Sequence, residues 1–460
     1  MDPADAASAG RTSGAWMMTR RVAVGLGTLS VLLAASTGCP KPQPIPIAAP
    51  DTGKDYDRAL PPGQLALRKI TDPAMIPDFS DAFYNAQSGA LRDAILRSLH
   101  YLGKRSSERY FPYGDVTHAR AVESLRLFLD VLSRAKSPGE LNQLIREEFD
   151  VYMSVGCDDM GTVLFTGYYT PIFDGSRTRT ARFAYPIYKT PPDLRKDAEG
   201  NPAGGPWKTR QEIESGGALA GNELVWLEDR FKTYVVTIQG SGQIRMPDGR
   251  IEEIGYAANN GHDYKSIGKE LVADGKIAKE NLSLSSMLEY FRNNPQDIDT
   301  YCWRNPRYIF FQPAPGGPFG CLNEKVTTHY SIATDKDVYP RACLSFLDVS
   351  NFPTEAGSGA RPYRGFALDQ DRGAAIRAAG RCDVFMGVGD EAGRRAGFTY
   401  SEGKLYYLFK KDSPSYAGGP ARTDTASSAA MDAPPAASPA PGSGSEETGS
   451  ITVSPVRSQR

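Results

Sequence analysis

The chain has 460 residues, and length alone allows roughly two or three domains. Lys and Arg total 53 against 54 Asp and Glu, a formal net charge of -1, which argues against bulk nucleic-acid binding because that needs a positive field to displace counterions. A hydrophobic share of 40% and a mean hydropathy of -0.41 exclude a polytopic membrane protein, and 46 Gly with 34 Pro require many turns or unstructured ends.

Arg20 and Arg21 precede an almost wholly apolar run, Val22 to Ala35, too short to span a bilayer comfortably, so the segment reads as an export signal. Residues 1–16 read as a tag or an early start, since Met17 or Met18 would open a signal of conventional length. Ser36-Thr37-Gly38-Cys39 follows, and it resembles the lipobox of bacterial lipoproteins, with Ser36 where Leu is usual. That resemblance implies lipidation of Cys39; a plain cleaved signal, or a signal anchor with an incidental Cys, are the alternatives. Pro40 stands where an Asp would imply inner-membrane retention, so the expected place is the outer membrane, facing the periplasm of a diderm bacterium. The expected segments are a signal with its extension over 1–38, and Cys39 with a Pro-rich tether of polyproline character over 39–65. At the far end, residues 413–460 are rich in Ala, Pro, Ser and Gly and cannot bury enough surface to offset their ordering entropy, which predicts disorder. Beyond Cys39 the cysteines are Cys157, Cys302, Cys321, Cys343 and Cys382, with no CxxC; an oxidising periplasm permits one or two disulfides and leaves at least one thiol free.

Between these ends, Ala82 to Leu102 carries apolar residues at helical spacing, as does Ala119 to Leu132. A third helix opens at Ser137 as N-cap, with Pro138 first and Glu140 in the third position. From Thr162 onward the pattern predicts short strands between Gly, Pro and Asp turns: Val163 to Tyr169, Phe183 to Ile187, Thr233 to Ile238 and Tyr308 to Phe311. Helices are predicted near Ser266 to Asp274 and Ser285 to Asn293, and Tyr330 to Phe409 returns to short strands with one short helix. The texture is that of small barrels, with no fixed-period repeat.

Familiar chemistries fail on spacing. His100, His118, His262 and His329 form no HExxH, and no Cys/His pattern matches zinc. Gly261 to Glu270 has the wrong spacing for a P-loop, Gly240-Ser241-Gly242 lacks the outer glycines of a nucleophile elbow, and Asp369 to Gly373 lacks the later ligands of an EF-hand. Carboxylates, aromatics and Gly-rich turns remain, an inventory that suits polysaccharide chemistry without cofactor or metal.

Five segments in order resemble the membrane-bound lytic murein transglycosylase A (MltA) family. They are Phe165-Thr-Gly-Tyr-Tyr-Thr-Pro171, Thr237-Ile-Gln-Gly-Ser-Gly242, Ile254 to His262 with Ser266-Ile-Gly268, Asn305-Pro-Arg-Tyr-Ile-Phe-Phe311, and a C-terminal region with spaced aspartates, the 3D domain. The last runs through Asp335, Asp371 to Ile376, Cys382-Asp383-Val-Phe385 and Gly389 to Gly393. The resemblance implies a mainly β, α+β protein: a double-psi β-barrel assembled from 66–165 and 305–412, with a smaller β-rich domain inserted at 166–304 and a groove between them for a glycan strand. It also implies cleavage of the β-1,4 bond between N-acetylmuramic acid and N-acetylglucosamine, leaving a 1,6-anhydro ring.

The family's catalytic Asp maps onto Asp383. An acid catalyst must be neutral at working pH, and its apolar neighbours Cys382, Val384, Phe385 and Met386 make a setting in which burial would raise the carboxyl. The sugar's own 6-hydroxyl then serves as a tethered nucleophile. Asp371 matches the second aspartate, a partner that orients substrate or tunes Asp383; Asp369 is a rival for that place. Asp335 matches the first, in a substrate-binding or a turn-forming role. Arg372 replaces the family's Thr, Ala374 its Gly, and one extra residue precedes Asp383. Tyr168, Tyr169 and Thr170 are candidates to stack on and bond sugar, although strand alternation would send one Tyr to the core. Gln239 and Ser241 are candidate partners for N-acetyl groups, or part of a tight turn carried by Gly240 and Gly242; Asn260 and His262 brace a loop. The expected partners are peptidoglycan strands, the membrane through the lipid anchor, no nucleic acid, and possible cell-wall enzyme complexes. Two other functions stay open: a non-catalytic glycan-binding scaffold, and a hydrolase in which Asp371 or Asp390 activates water.

Overall fold

The computed structural model describes residues 53–412 apart from 199, 283, 354–360 and 374. The signal, Cys39, most of the tether, the C-terminal tail and Ala374 lie outside the described residues. Strands β1 (Leu67–Lys69), β2 (Phe149–Ser154) and β3 (Val163–Thr170) begin a first sheet. A second sheet follows, formed by β4 (Ile172–Ser176), β5 (Tyr185–Tyr188), β6 (Glu223–Leu227), β7 (Ser241–Arg245), β8 (Ile251–Asn259) and β9 (Ile309–Pro313). The chain then returns to the first sheet through β10 (Ser331–Ala333), β11 (Leu344–Phe352), β12 (Arg361–Asp371), β13 (Arg381–Val388) and β14 (Tyr400–Lys410).

The first sheet closes on itself. Its order is β1-β2-β14-β11-β12-β10-β13-β3, and β3 also pairs with β14, so six of the eight strands make a ring. Pairing is parallel at β10–β12 and β13–β3 and antiparallel elsewhere in the ring. Closure removes the exposed edges that an open sheet must protect. The second sheet has the order β5-β6-β4-β7-β8-β9, its two ends touching only at a single bridge between Lys189, just after β5, and Phe311 on β9, and it extends past residue 304.

The N-terminal helices cover the ring. The first predicted helix divides into Phe83–Ala86 and Gly89–Leu102, because Ser88 caps the second part by accepting from the Ala90 N–H at 3.2 Å. Helices His118–Arg134 and Pro138–Glu148 follow, the latter capped by Ser137 Oγ, which accepts from Glu140 N–H at 3.3 Å. Their apolar faces join one continuous core with the ring, through Leu91, Ile95, Leu125, Phe128, Phe346, Phe366 and Tyr407.

The segment Thr233 to Ile238 corrects the sequence expectation: it lies within a helix, Arg230–Gln239, not a strand. Its β-branched residues cost the helix at most ~0.7 kcal/mol each. Against this, Asp229 caps the start by accepting from Lys232 N–H at 2.8 Å, and Gly240, at φ 75°, ends the helix in the left-handed conformation. Phe231, Tyr234, Val235 and Val236 are buried on it, each worth roughly 1.5–3 kcal/mol, so tertiary burial outweighs β propensity. Gly240 is therefore a helix cap and not the centre of a tight β-turn. The five cysteines of the described residues are all free thiols, with Cys321 the exposed one.

Candidate active site

The ring's strand register builds the site. Asp371 on β12 is opposite Ala333 on β10, Ala333 is opposite Asp383 on β13, and Asp383 is opposite Thr166 on β3. Residues in one cross-strand row share a face, so Asp371, Asp383 and Thr166 face the same side, with the small Ala333 leaving room between the carboxyls. Tyr168 lies two residues beyond Thr166 and keeps that face. Its hydroxyl donates to Asp371 Oδ2 at 2.9 Å, and its ring meets Phe385 at 5.2 Å between centroids.

Asp383 is half-buried. Its Oδ1 accepts a short hydrogen bond from Thr166 Oγ1 and has the Arg381 guanidinium at 3.7 Å. Its Oδ2 makes no hydrogen bond among the described residues. Alternation thins the expected apolar wall: Cys382, Val384 and Met386 are buried in the core and the carboxyl faces away from them toward Thr166 and Arg381, leaving Phe385, packed against Tyr168, as the apolar neighbour on its own face. Arg381 is fixed in turn by donating to the Ala375 carbonyl at 2.6 Å.

Asp371 has a different setting. Oδ1 accepts from the backbone N–H of Cys321 at 2.9 Å and of Arg372 at 2.8 Å, while Oδ2 takes the Tyr168 hydroxyl. Desolvation raises this carboxyl above its ordinary value, and the donors partly offset the shift. Burial, then the Asp371 charge, pushes the Tyr168 phenol well up, so Tyr168 remains a donor. Asp369, the rival, is wholly buried against Lys336, Thr334 and Tyr407, out of reach of a sugar. Asp335 is also buried, and its carboxylate accepts from the backbone N–H groups of Asp337 (3.1 Å) and Ala378 (2.8 Å), bracing the loop between β12 and β13.

The other candidates sit where β3 meets the second sheet. Tyr169 is buried and Tyr168 half-buried, so alternation separates the two. Tyr169 N–H donates to Gln239 Oε1 at 3.3 Å, and the Thr170 and Ser241 hydroxyls lie 3.0 Å apart. A pocket of about 210 Å³ opens here between Thr166, Tyr169, Gln239, Leu284, Ala396 and Tyr400. That is below the roughly 300–1,000 Å³ of a site enclosing a drug-sized ligand, so it can take only part of a chain molecule. One wall is the helix Gly389–Phe398, which approaches β3 so closely that a Cβ at Gly167 would fall 2.7 Å from Ala396 Cα. Asp390 is exposed on the first turn of that helix. Asn260 and His262 brace the neighbouring loop: the Asn260 side chain donates to the Lys208 and Pro306 carbonyls, and His262 Nε2 lies 2.7 Å from the Trp207 carbonyl.

Sequence reasoning passed over Thr166 and Arg381. Both stand two residues from a named candidate, Thr166 before Tyr168 and Arg381 before Asp383, and period-two alternation places each on its partner's face. Among the described residues no group of three or more His, Cys, Asp or Glu could hold a metal.

Residues 164–312 match the MltA specific insert domain, and residues 330–409 match the 3D domain. The chain is 28% identical over 276 residues to membrane-bound lytic murein transglycosylase A of Escherichia coli K12, covering 59% of this chain and 73% of that one. It is 30% identical over 268 residues to the protein of the same name from Vibrio cholerae, covering 57% and 69%. In fold it is similar to a membrane-bound lytic murein transglycosylase from Agrobacterium tumefaciens, with a TM-score of 0.62 at 24% identity over 75% of this chain and 98% of the other. It is also similar in fold to E. coli MltA with bound chitohexaose, with a TM-score of 0.60 at 24% identity over 78% and 100%. On these matches, the chain belongs to the membrane-bound lytic murein transglycosylase A family.

Proposed function

We propose that the protein is a peptidoglycan lytic transglycosylase that cleaves the β-1,4 bond between N-acetylmuramic acid and N-acetylglucosamine. Its membership of the MltA family supports the activity, and the bound chitohexaose of the E. coli relative supports a glycan strand as ligand. The carrying observation for the chemistry is the difference between the two half-buried aspartates. Asp371 already accepts three hydrogen bonds, whereas Asp383 keeps Oδ2 free on the face it shares with Asp371 and Thr166. Protonated Asp383 gives its proton to the glycosidic oxygen, and the bond from that oxygen to C1 of the muramoyl residue breaks. The 6-hydroxyl of the same residue attacks C1 and returns its proton to Asp383, so the ring closes and the acid is regenerated without water. Thr166 and Arg381 hold the carboxyl, and Tyr168 holds Asp371, which orients the sugar. Gln239, whose side-chain amide nitrogen has no partner among the described residues, and Ser241 contact N-acetyl groups.

Within this reading the closed ring is a double-psi β-barrel, supported by its two parallel pairings, with the inserted domain as the second wall of the groove. The chain is anchored to the outer membrane through Cys39, in line with relatives named membrane-bound; no described helix is long and apolar enough to cross a membrane. A hydrolase using Asp371 as base is less well supported, because both its oxygens are engaged. Digestion of purified sacculi with mass analysis tests the function: anhydro-muropeptides are expected, while reducing ends would indicate hydrolysis and intact sacculi a scaffold. Asp383→Asn is expected to lower anhydro product by about 10²–10⁴-fold with sacculus binding retained; full activity in that variant would remove Asp383 from the role.

A further inference from the structure

Asp371 takes its three hydrogen bonds from three different places. Arg372 N–H is its neighbour in the chain, the Tyr168 hydroxyl comes from β3, and Cys321 N–H comes from the loop between β9 and β10. The first two are set by the ring, so the third depends on what holds the loop. Around Cys321 the loop is a tight hairpin. Phe319 and Lys325 pair as an antiparallel bridge, Gly320 N–H donates to the Glu324 carbonyl at 2.9 Å, and Val326 N–H donates to the Pro318 carbonyl at 2.9 Å. The hairpin approaches β12 so closely that a Cβ at Gly320 would fall 2.6 Å from the Gln370 carbonyl oxygen and 3.2 Å from Asp371 Cγ. Side chains of the helix Gly89–Leu102 and of the turn after it fasten this hairpin. Glu324 Oε1 lies 2.7 Å from His100 Nδ1 and accepts from Lys104 Nζ at 2.6 Å, and Thr327 Oγ1 accepts from Arg97. The same helix grips the strand itself: Gln370, the residue before Asp371, donates to the Ala94 carbonyl at 2.8 Å and to Ser98 Oγ at 2.9 Å.

Side-chain exposure separates the two ends of this fastening. His100 and Lys104 are 69% and 37% exposed, whereas Glu324 is 9% exposed. An ion pair in open water is worth little, but a buried carboxylate is costly to leave without its donors, so the pairing favours the docked hairpin. The helix is rooted in the ring's core through Leu91 and Ile95, which makes it a firm support. Resting on the function proposed above, we infer that Glu324 is a positioning residue for Asp371: through the hairpin it sets the Cys321 N–H, and with it the direction in which the Asp371 carboxylate meets the sugar. Glu324 acts through Asp371, so it contributes nothing to the rate where Asp371 has lost its charge.

The test is a double-mutant cycle on the full-length protein, read as the rate of anhydro product formation from soluble glycan strands. Glu324→Gln is expected to lower that rate by about 10- to 100-fold, the scale on which a small misplacement far from the chemistry acts. In an Asp371→Asn background the same change is expected to alter the rate by less than about twofold. A general structural loss would be the same size in both backgrounds, and that result overturns the assignment. A second readout needs no activity: hydrogen exchange over residues 319–326, followed by mass. Exchange there is expected to be about tenfold faster in Glu324→Gln than in the wild type, and unchanged exchange overturns the assignment as well. Circular dichroism shows whether the variant is folded. If it is not, His100→Ala with Lys104→Ala removes the same pairing from its exposed end and is expected to reproduce both effects. If the wild type forms no anhydro product, the transglycosylase function fails, and hydrogen exchange then decides whether Glu324 holds the Cys321 amide.

Discussion

The closed ring and the second sheet hold their shapes by different means. The ring and its covering helices share one hydrophobic cluster that runs from Ala66 to Phe409. Buried within it are polar contacts in which every partner is fixed, such as Lys336 with Asp369, and Gln370 with Ala94, Ser98 and Ser331. The second sheet and its helices divide their apolar residues among three separate clusters, around Val236, Phe291 and Tyr308. Many of their ion pairs lie at the surface, as with Arg182 and Arg245 on Asp174. A continuous core resists displacement, so the ring is a fitting place for Asp383, the carboxyl proposed to protonate the glycosidic bond. The smaller cores, two of them bridged by Phe173 and tied further by buried Arg210 with Glu214 and Thr237, are less continuous than the ring's, which suits the wall proposed to accommodate sugar.

The sharpest way to break that contrast is inside the ring. Lys336 and Asp369 have no exposed side-chain surface, and Lys336 also donates to Thr334 at 2.8 Å while Tyr407 donates to Asp369 at 2.7 Å. Lys336→Met leaves a buried carboxylate without its cation, and the expected loss is about 3–5 kcal/mol in denaturant unfolding. Adding Asp369→Leu should restore much of it, because two apolar residues need no desolvation to be offset. A loss under about 1 kcal/mol for Lys336→Met would mean that the ring tolerates an unpaired charge, and its rigidity would need another source.

A smaller effect follows from His329, in the turn before β10. Desolvation, then Arg395, pushes its imidazole down to about 4 from 6.5, and its Nε2 is buried without a partner. A depressed folded value means the neutral ring is the stable form. Its contribution is complete above 6.5, is lost as pH falls toward 4, and amounts to up to about 3 kcal/mol. His329→Asn keeps a residue suited to the left-handed backbone there (φ 65°) and removes the titration. The wild-type minus variant stability should therefore fall between those two pH values and stay level above them. A difference that is flat across the whole range would show that water reaches the ring interior at this turn.

Much of the ring side was legible because its signals are local. Ser137 and Pro138 mark a helix start, and Asp371 and Asp383 are set by motif order and then by strand register. What failed was non-local. The run Thr233 to Ile238 reads as a strand until the burial of Phe231 and Tyr234 is counted, and that burial depends on Phe291 and Tyr301, some sixty residues on in sequence. The apolar neighbours of Asp383 implied an apolar wall, yet on a strand adjacent residues face opposite ways, which leaves Phe385 alone of the four on its face and makes Arg381 and Thr166 the informative positions. Closure of the sheet through β3 and β14 joins residues more than two hundred apart, and no periodicity encodes that pairing.

The weakest expected effect is at the second sheet's surface, and it sharpens the comparison by its size. Asp174 on β4 accepts from Arg182 at 2.9 Å and Arg245 at 3.0 Å, with more than half of each arginine side chain exposed. Exposed pairs of this kind are worth about 0–1 kcal/mol each because water and salt screen them. Arg182 also keeps Glu228 as a second acid at 2.9 Å, so Asp174→Asn leaves only Arg245 without its carboxylate. The expected loss in denaturant unfolding is below about 1 kcal/mol, vanishing in high salt. A salt-insensitive loss above about 2 kcal/mol would place this cluster in the same class as Lys336 and Asp369. The wall proposed to take the glycan would then be as firmly held as the ring, and the proposed groove would have no adaptable side.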